Sequence, residues 1–462
     1  MTSPAVEVPA PTRAGLRGRM LRGSIYEIAG YGTQQVLRLG SNLILTRILF
    51  PAAFGTASIV TVILVGLVML SDVAVQSCLI QSRRGDEPAF RNTAFSLQAI
   101  RGVVIALFMV LLAKPAAWFY KQPELEHLVQ FGALQLVFNG LHSTAIATLR
   151  RKVRLGWVNG LDLLQTAVGL PITFLLARTY PGPWALVAGM VISSGLYTIA
   201  THFLPVGYRN RFQWDKTAVA EISQFGRWVF GSSAAGFLGS QADRILMGRF
   251  LGAAWLGVYS VALNLSDAVG SVVGRVVSGV MFPVLSEAAR GETADGHIGG
   301  LYDGVRRRLD VMSMGMTGFL TGFGAWIVHL LWDERYADAG WILQVLAVRV
   351  AITALISPGE TCLFALGHTR YGFQRSVVRL CAAAILVPAG WYLGGVPGVI
   401  WGAVATEAAT VFAVWPAAHR HGILRLRREL TAVAIFLAAF ALGRLLRGAL
   451  PALVIHRGHH AG

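Results

Sequence analysis

The sequence predicts an all-α integral membrane protein with 12–14 transmembrane helices, arranged as two six-helix pseudo-symmetric lobes around a central cavity. Composition, the recurrence of apolar segments and the placement of basic residues all predict this class. Of the 462 residues, 55% are hydrophobic and only 14% are charged, whereas a soluble domain carries about 25% charged residues. The apolar surface must therefore face lipid.

The apolar segments recur along nearly the whole chain with short interruptions. A spanning helix needs about 20 mainly apolar residues, and about thirteen segments of the sequence meet this requirement. The final segment, 430–453, is compatible with one span or with a pair of short ones, so the number of C-terminal helices stays open. The segments cover residues 24–48, 53–80, 90–113, 125–148, 156–178, 183–205, 222–247, 252–285, 306–331, 338–362, 370–393, 396–417 and 430–453.

Basic residues, which give the chain a net charge of +17, lie mainly in alternate loops. Loops such as 150–154, 206–221 and 425–428 are rich in Arg and Lys, whereas the loops between them carry few. Cytoplasmic loops hold the excess of positive charge in membrane proteins. We therefore expect a multi-pass protein of the cytoplasmic (inner) membrane with a cytoplasmic N-terminus, and no nucleic-acid partner.

An internal repeat divides the chain. Residues 45–58, LTRILFPAAFGTAS, align with residues 247–260, MGRFLGAAWLGVYS, at an offset of 202. Six predicted spans separate the copies, which gives both copies the same orientation and predicts parallel repeats related by an axis along the membrane normal. The expected organisation is a cytoplasmic tail (1–23), an N-terminal lobe (24–205), a cytoplasmic linker (206–221), a C-terminal lobe (222–418), and a basic loop with one or two further helices and a tail (419–462).

Polar residues inside the spans predict a hydrated path. A charge within a span costs about 2.5–3.5 kcal/mol and usually faces the bundle interior or a wet cavity. In the first span Tyr31, Gln34 and Arg38 share one helical face; the stripe either packs against other helices or forms a cavity wall. The further residues that we expect on the cavity wall are Asn139, His142, Ser240, Arg275 and Arg349.

Four carboxylates within the spans are candidates for ion coupling: Asp72, Asp267, Glu360 and Glu407. An intramembrane carboxylate is either a coupling site for protons or cations or one half of an internal ion pair. Asp267 and Glu360 have arginines near them in sequence, at Arg275 and Arg349, which favours a structural role. Asp72 and Glu407 have no such neighbour, and we expect them to be the better coupling sites.

The motifs of common enzymes and of nucleotide binding are missing from the sequence. It contains no GxSxG, HExxH or P-loop pattern, and Cys78, Cys362 and Cys381 lie singly in apolar stretches. We expect no enzyme activity, no cofactor and no metal site.

Several motifs resemble those of a known family. These are LTRILFPAAFG after the polar first span, SDVAVQSCLIQ ending the second, ADRILMGRFLGAAWLGVYSVA at spans seven and eight, and VMFPVLSEA. The chain, over roughly 24–418, resembles the polysaccharide transporters, which are the O-antigen and exopolysaccharide flippases of the multidrug/oligosaccharidyl-lipid/polysaccharide superfamily.

The resemblance implies a two-lobed bundle with a cationic central cavity. It implies a flippase that moves a polyprenyl-pyrophosphate-linked oligosaccharide from the cytoplasmic to the outer leaflet during lipopolysaccharide or exopolysaccharide biosynthesis. The implied partners are this lipid-linked substrate, membrane lipids, H⁺ or Na⁺, and polysaccharide polymerase machinery. The chemistry agrees, because arginines in a wet cavity bind phosphate through charge-assisted hydrogen bonds.

Three other functions compete with the flippase. A cation-coupled multidrug exporter of the same superfamily would have mainly acidic and aromatic residues in its cavity, whereas the deep charges here include Arg38, Arg275 and Arg349. A membrane-embedded polysaccharide polymerase would need a sizeable external loop or domain, and every predicted external loop is short. For a scramblase or assembly partner the sequence offers no discriminating feature.

Overall fold

A computed structural model of the chain describes residues 13–71, 75–152, 154–289, 298–368 and 370–449. At a further set of helical positions only the backbone is described. These are residues 13–29, 31, 155, 225–236, 238–240, 279–280, 283, 287–289, 298–299 and 301.

All regular structure in the described ranges is helical, which confirms the all-α class. The helices are α1 (Arg13–Ile48), α2 (Pro51–Leu70), α3 (Val75–Gln81), α4 (Pro88–Tyr120), α5 (Glu124–Gly132), α6 (Leu134–Gly140), α7 (Ala145–Arg151), α8 (Leu155–Thr179), α9 (Pro183–Thr201), α10 (Lys216–Val276), α11 (Phe282–Ala289), α12 (Ile298–Leu331), α13 (Ala339–Ala365), α14 (Arg370–Ala409), α15 (Val411–Arg420) and α16 (Leu426–Ala449). A π-helical turn, Val277–Met281, joins α10 to α11.

Nine stretches of the described residues are helices long and apolar enough to cross a membrane. This confirms a multi-pass membrane protein. Each of the thirteen predicted segments is mostly helical over its described part, and the number of crossings stays a prediction.

Two long helices bend where the sequence predicts loops between spans. In α10 the bend is at Gly252, whose φ of 78° lies in the left-handed region that favours glycine. In α14 it is at Gly394 and Gly395, the second with φ of 56°. The bend divides α10 into two arms, here called α10a (216–251) and α10b (253–276).

The fourth predicted segment, 125–148, is not one helix. It forms α5, α6 and α7, and the backbone leaves the helical path at residues 141–144. Polar side chains occupy this interruption: the Ser143 hydroxyl donates to the Asn210 side-chain oxygen at 2.6 Å, and Thr201 accepts a hydrogen bond from the Ser143 amide at 3.0 Å. These bonds replace the helical ones that the interruption removes.

The linker 206–221 lies against the N-terminal lobe. The Gln213 and Asp215 amides donate to the Ser96 and Thr93 hydroxyls at 2.9 and 3.0 Å. Asp215 also caps α10 by accepting from the Thr217 amide, and it pairs with Arg84 at 3.2 Å. Hydrogen bonds from Thr217, supported by Arg84, hold the pKa of the Asp215 carboxyl below its usual range.

The C-terminal segment is a single helix over its described part. Helix α16 packs along α12, where glycines allow close approach: a Cβ added at Gly318 would lie 2.3 Å from the Phe436 carbonyl oxygen. Arg306 of α12 is fully buried and binds Asp310 at 2.8 Å and Glu429 at 2.9 Å. Arg306 begins the predicted span 306–331, and the two ion pairs reduce the cost of burying its charge.

The two copies of the internal repeat meet in reciprocal contact. A Cβ added at Gly55 of α2 would lie 1.8 Å from the Ala253 carbonyl oxygen, and one added at Gly257 would lie 1.8 Å from the Pro51 carbonyl oxygen. Residues 51 and 253, like 55 and 257, are separated by the repeat offset of 202. The contact is therefore two-fold symmetric. The division into two lobes stays a prediction, and we use N-lobe for residues 24–205 and C-lobe for residues 222–418.

A loop of the C-lobe extends the same contact. Tyr336 donates its hydroxyl hydrogen to the Leu49 carbonyl at 3.0 Å, and Arg335 donates to the Thr46 and Arg47 carbonyls at 3.2 and 3.1 Å. These carbonyls belong to the C-terminal end of α1, which lacks further helical partners for them. The lobes are thus closed against each other at this end of the bundle.

Candidate functional site

The C-lobe contains a network of ion pairs within its spans. Arg349 of α13 lies between one carboxylate from each arm of α10: its Nη1 is 2.7 Å from Asp243 Oδ2 and its Nη2 is 3.4 Å from Asp267 Oδ1. The Tyr259 hydroxyl donates to the same Asp243 oxygen at 3.0 Å. Arg244 approaches Asp267 at 3.5 Å. The predicted cavity arginine Arg349 is therefore bound by carboxylates and does not present a free charge.

A second group of pairs continues the network. Arg375 binds Glu360 and, at 2.7 Å, Glu407; Arg379 lies 3.4 Å from the other Glu407 oxygen. We call the whole set the C-lobe network, and it brings together four carboxylates and four arginines. Its members are Asp243, Arg244, Asp267, Arg349, Glu360, Arg375, Arg379 and Glu407.

Glu407 has no arginine near it in sequence, but in space it pairs with two arginines. Its partners precede it by 32 and 28 residues, and the bend in α14 at Gly394 and Gly395 folds them beside it. Helical spacing detects only neighbours three or four residues away. Glu407 is 1% exposed, whereas Asp267 is the open carboxylate of the network, with 49% of its side chain exposed.

The N-lobe holds a polar cavity of about 370 Å³ between α3, α4 and α6. Two predicted residues, Asn139 and His142, line it. The other polar side chains on its wall are Gln76, Ser77, Gln98 and Arg101. We call this space the N-lobe cavity.

Hydrogen bonds hold most of these side chains in place. Arg101 donates to the Val68 carbonyl at 2.7 Å and to the Ser71 hydroxyl at 3.2 Å. Gln98 donates to the Asn139 carbonyl at 3.0 Å and accepts from Gln76 at 3.3 Å.

Two buried polar atoms at the N-lobe cavity have no hydrogen-bond partner among the described residues: His142 Nε2 and Gln76 Oε1. Buried polar atoms are nearly always satisfied. These two remain available to polar groups entering the cavity.

Sequence reasoning missed Gln98 and Arg101 as site residues. The available signal was an arginine in the middle of the apolar segment 90–113, with a glutamine three residues before it on the same helical face. Such a residue marks a functional or internally paired position.

The polar stripe of α1 is divided in the structure. Gln34 donates to Thr166 of α8 at 3.2 Å, which supports a packing role. Arg38 is exposed, and no described carboxylate lies within ion-pairing distance of it. Arg275 is partly buried in α10b. The side chains of Tyr31 and Ser240, and the whole of Asp72, lie outside the described residues.

The predicted site residues therefore do not form one cluster. Asn139 and His142 share the N-lobe cavity; Asp267, Arg349, Glu360 and Glu407 share the C-lobe network. Gln34 and Arg38 lie on α1, whose main described neighbour is α8.

Comparisons with known proteins identify the family. A family model described as "Polysaccharide biosynthesis protein" matches residues 44–340. The succinoglycan biosynthesis transport protein ExoT of Rhizobium meliloti (strain 1021) is 25% identical over 387 residues, covering 80% of this chain and 74% of that protein. The lipopolysaccharide biosynthesis protein WzxC of Escherichia coli (strain K12) is 21% identical over 365 residues, covering 78% of this chain and 72% of that protein.

Solved structures share the fold. The lipid II flippase MurJ, in an inward closed conformation, matches with a TM-score of 0.72 at 12% identity, over 92% of this chain and 93% of that one. An inward-facing multidrug resistance MATE family transporter of the MOP superfamily matches with a TM-score of 0.63 at 14% identity, over 87% and 95% of the two chains. The fold is thus shared with these two membrane proteins. The chain belongs to the polysaccharide biosynthesis protein family that the matching model describes.

Proposed function

We propose that this chain is a flippase that carries a polyprenyl-diphosphate-linked oligosaccharide from the cytoplasmic to the outer leaflet for surface or exported polysaccharide biosynthesis. Family membership supports a role in polysaccharide biosynthesis, and the names of ExoT and MurJ support transport of this kind of substrate. The relatives are named as transport or biosynthesis proteins, which supports a transporter and not a polymerase.

The observation that carries the proposal is the N-lobe cavity. A lipid-linked oligosaccharide presents an anionic diphosphate and many hydroxyl groups, neither of which can cross hydrocarbon unaided. Arg101 supplies a permanent positive charge, and Gln98, Asn139 and His142 supply neutral polar groups. The described residues that line the cavity include no carboxylate that would repel a phosphate.

We infer that Arg38 and Arg275 extend this path beyond the N-lobe cavity. Arg38 is exposed within the first predicted span, at a position where a solvated arginine requires a wet surface. Arg349 has a different role in this proposal: its two carboxylate partners make it an organising residue of the C-lobe.

Ion coupling is the second part of the proposal. MATE-type neighbours suggest coupling to H⁺ or Na⁺, and moving a charge across the membrane supplies about 2.3 kcal/mol per 100 mV. Asp267 is the best described candidate because it is half exposed and only loosely paired. Glu407 and Glu360, held by Arg375, support the structure instead.

The proposed topology places the N-terminus and the 206–221 and 286–305 loops in the cytoplasm and residues 114–124 outside. Cysteine labelling tests it in a chain whose own cysteines, buried Cys78 and Cys362 and exposed Cys381, are replaced by serine. External reagent should label a cysteine placed at Lys121 and spare one placed at Arg211. Labelling of position 211 from outside would refute the arrangement.

Reconstitution in liposomes tests the function. The chain should move an undecaprenyl-diphosphate-linked saccharide between leaflets, measured by its accessibility to an added glycosidase, and should leave a diacyl phospholipid reporter in place. Empty liposomes are the control. Equal movement of both lipids would identify a scramblase and refute the flippase.

A cation-coupled multidrug exporter is the second candidate, favoured by the carboxylates of the C-lobe network and by the MATE fold. It predicts proton-driven efflux of a cationic dye from the same liposomes. Dye efflux without saccharide movement would replace the flippase with this function.

A further inference from the structure

An apolar groove of about 330 Å³ runs along the junction of the two lobes. Side chains of α2 and α4 form its N-lobe wall, and Phe237 and Ile245 of α10a form its C-lobe wall. It opens beside the exposed apolar face of α4, at Leu107, Phe108 and Leu111. In a membrane protein such a face contacts the hydrocarbon, so acyl chains have direct access to the groove.

A basic pocket of about 670 Å³ adjoins this groove at the end of α4. Lys114 and Lys121 of the N-lobe and Arg249 of the C-lobe line it, against a single described carboxylate, Glu126. Phe119 lines both the pocket and the groove, so the two spaces adjoin at this side chain. Arg249 also lies over the Phe119 ring, 5.7 Å from its centroid.

The basic pocket lies at the depth of lipid headgroups. Trp118 lines it with 82% of its surface exposed, and exposed Trp residues concentrate at the membrane–water interface. The surface is therefore apolar at hydrocarbon depth and basic at headgroup depth. That arrangement is complementary to an anionic lipid.

The occupant must come from the bilayer. The lobes are closed against each other beside this surface, through the reciprocal contacts of Gly55 and Gly257. The groove lies beside the exposed apolar face of α4, so bilayer lipids reach it from the side. Because both lobes contribute, the surface exists only while they are together.

We propose that this surface binds one anionic glycerophospholipid, which bridges the lobes. Its phosphate contacts Lys114, Lys121 and Arg249, and one acyl chain lies in the groove against α2 and Phe237. The bound lipid stabilises the conformation that is closed at this end, because it binds that state and not the open one. The topology proposed above would place this lipid in the outer leaflet. The proposal that the lipid binds does not depend on that topology.

Lipid titration of the purified full chain in detergent, read by native mass spectrometry, tests the proposal. Phosphatidylglycerol should bind about tenfold or more tighter than phosphatidylcholine, since each basic residue near an anionic headgroup contributes about fivefold. The variant K114Q/K121Q/R249Q should lose this preference. Equal affinity of the two lipids for the wild-type chain would overturn the proposal.

Two controls are needed. The first tests whether basic residues elsewhere contribute to the preference, and the second tests whether the acyl chains contribute to the affinity. R178Q removes an exposed arginine at the end of α8 and should keep the preference. Glycerol phosphate, which has the headgroup without acyl chains, should bind at least about tenfold more weakly than phosphatidylglycerol. If R178Q loses the preference, or glycerol phosphate binds as tightly as the lipid, the proposed site is wrong.

Filling the groove gives an independent measurement. A116W places an indole in the groove that Ala116 lines and should weaken phosphatidylglycerol and phosphatidylcholine alike. If A116W leaves the binding of both lipids unchanged, the acyl chain does not lie in the groove. The lipid that co-purifies with the wild-type chain should be a glycerophospholipid; a polyprenyl diphosphate lipid in its place would show that this surface belongs to the substrate path.

Discussion

The described charged residues are arranged differently in the two lobes. In the C-lobe every arginine of the network has a carboxylate within 4 Å, and the four positive and four negative charges balance. The described wall of the N-lobe cavity carries one arginine among neutral amides and a histidine. Pairing reduces the cost of burying charge, so the C-lobe network is suited to hold helices in register or to exchange ions. The described wall of the N-lobe cavity instead offers polar groups of the kinds that bind hydroxyl and phosphate groups.

Removing the central arginine of the C-lobe should produce the largest effect. Arg349→Ala leaves Asp243 buried with its main partner gone, and breaking a buried pair costs about 3–5 kcal/mol. Thermal unfolding in detergent should show a large loss of stability. The double variant D243N/R349M, which removes both charges, should recover much of it. A stable single variant would show that the network is not structural.

Changes at the symmetric contact should come next. Gly55→Ala introduces a Cβ where only 1.8 Å separates it from a backbone oxygen, and Gly257→Ala repeats the change on the other side. Because backbone must move, we expect a cost of about 1–3 kcal/mol to the closed arrangement. Distance measurements between spin labels on the two lobes should show wider separation. Gly32→Ala, at a glycine with open space around it, is the control, and unequal effects at 55 and 257 would break the symmetry.

Arg101→Gln should reduce transport and also lower the stability of the protein moderately. The variant removes the only described positive charge of the N-lobe cavity, and loss of one charge-assisted contact lowers the rate about tenfold. Two hydrogen bonds are also lost, which costs about 1–3 kcal/mol. Arg101→Lys should recover part of the rate, measured in the saccharide assay. Normal transport by both variants would show that the N-lobe cavity does not lie on the substrate path.

Asp267→Asn should have the smallest effect on stability, under about 1 kcal/mol, because the side chain is half exposed and loosely paired. It should instead abolish the dependence of transport on an imposed proton or sodium gradient. Glu407→Gln is the matched comparison, since it leaves Arg375 and Arg379 without their buried partner and should destabilise the protein. Gradient dependence that survives in Asp267→Asn would exclude this residue as the coupling site.

The sequence by itself determined the class of the protein and the positions of its helices. Within lipid, a chain must be apolar over a long segment and must form all of its backbone hydrogen bonds internally. Composition and the spacing of apolar segments are enough to recognise such helices. The bends at Gly252 and at Gly394–Gly395 fall at or directly next to predicted loops, whereas the contact between the two copies of the repeat was not predicted.

Only the tertiary structure decided which charges are paired. Arg349 meets Asp243 from a distance of 106 residues and Arg306 meets Glu429 from a distance of 123, separations at which helical periodicity carries no information. The same is true of Glu407 and its arginines, and of Arg101, whose neighbours at the cavity come from three helices. Electrostatic energy depends on distance in space and on burial, and both are set by the packing of helices that lie far apart in the chain.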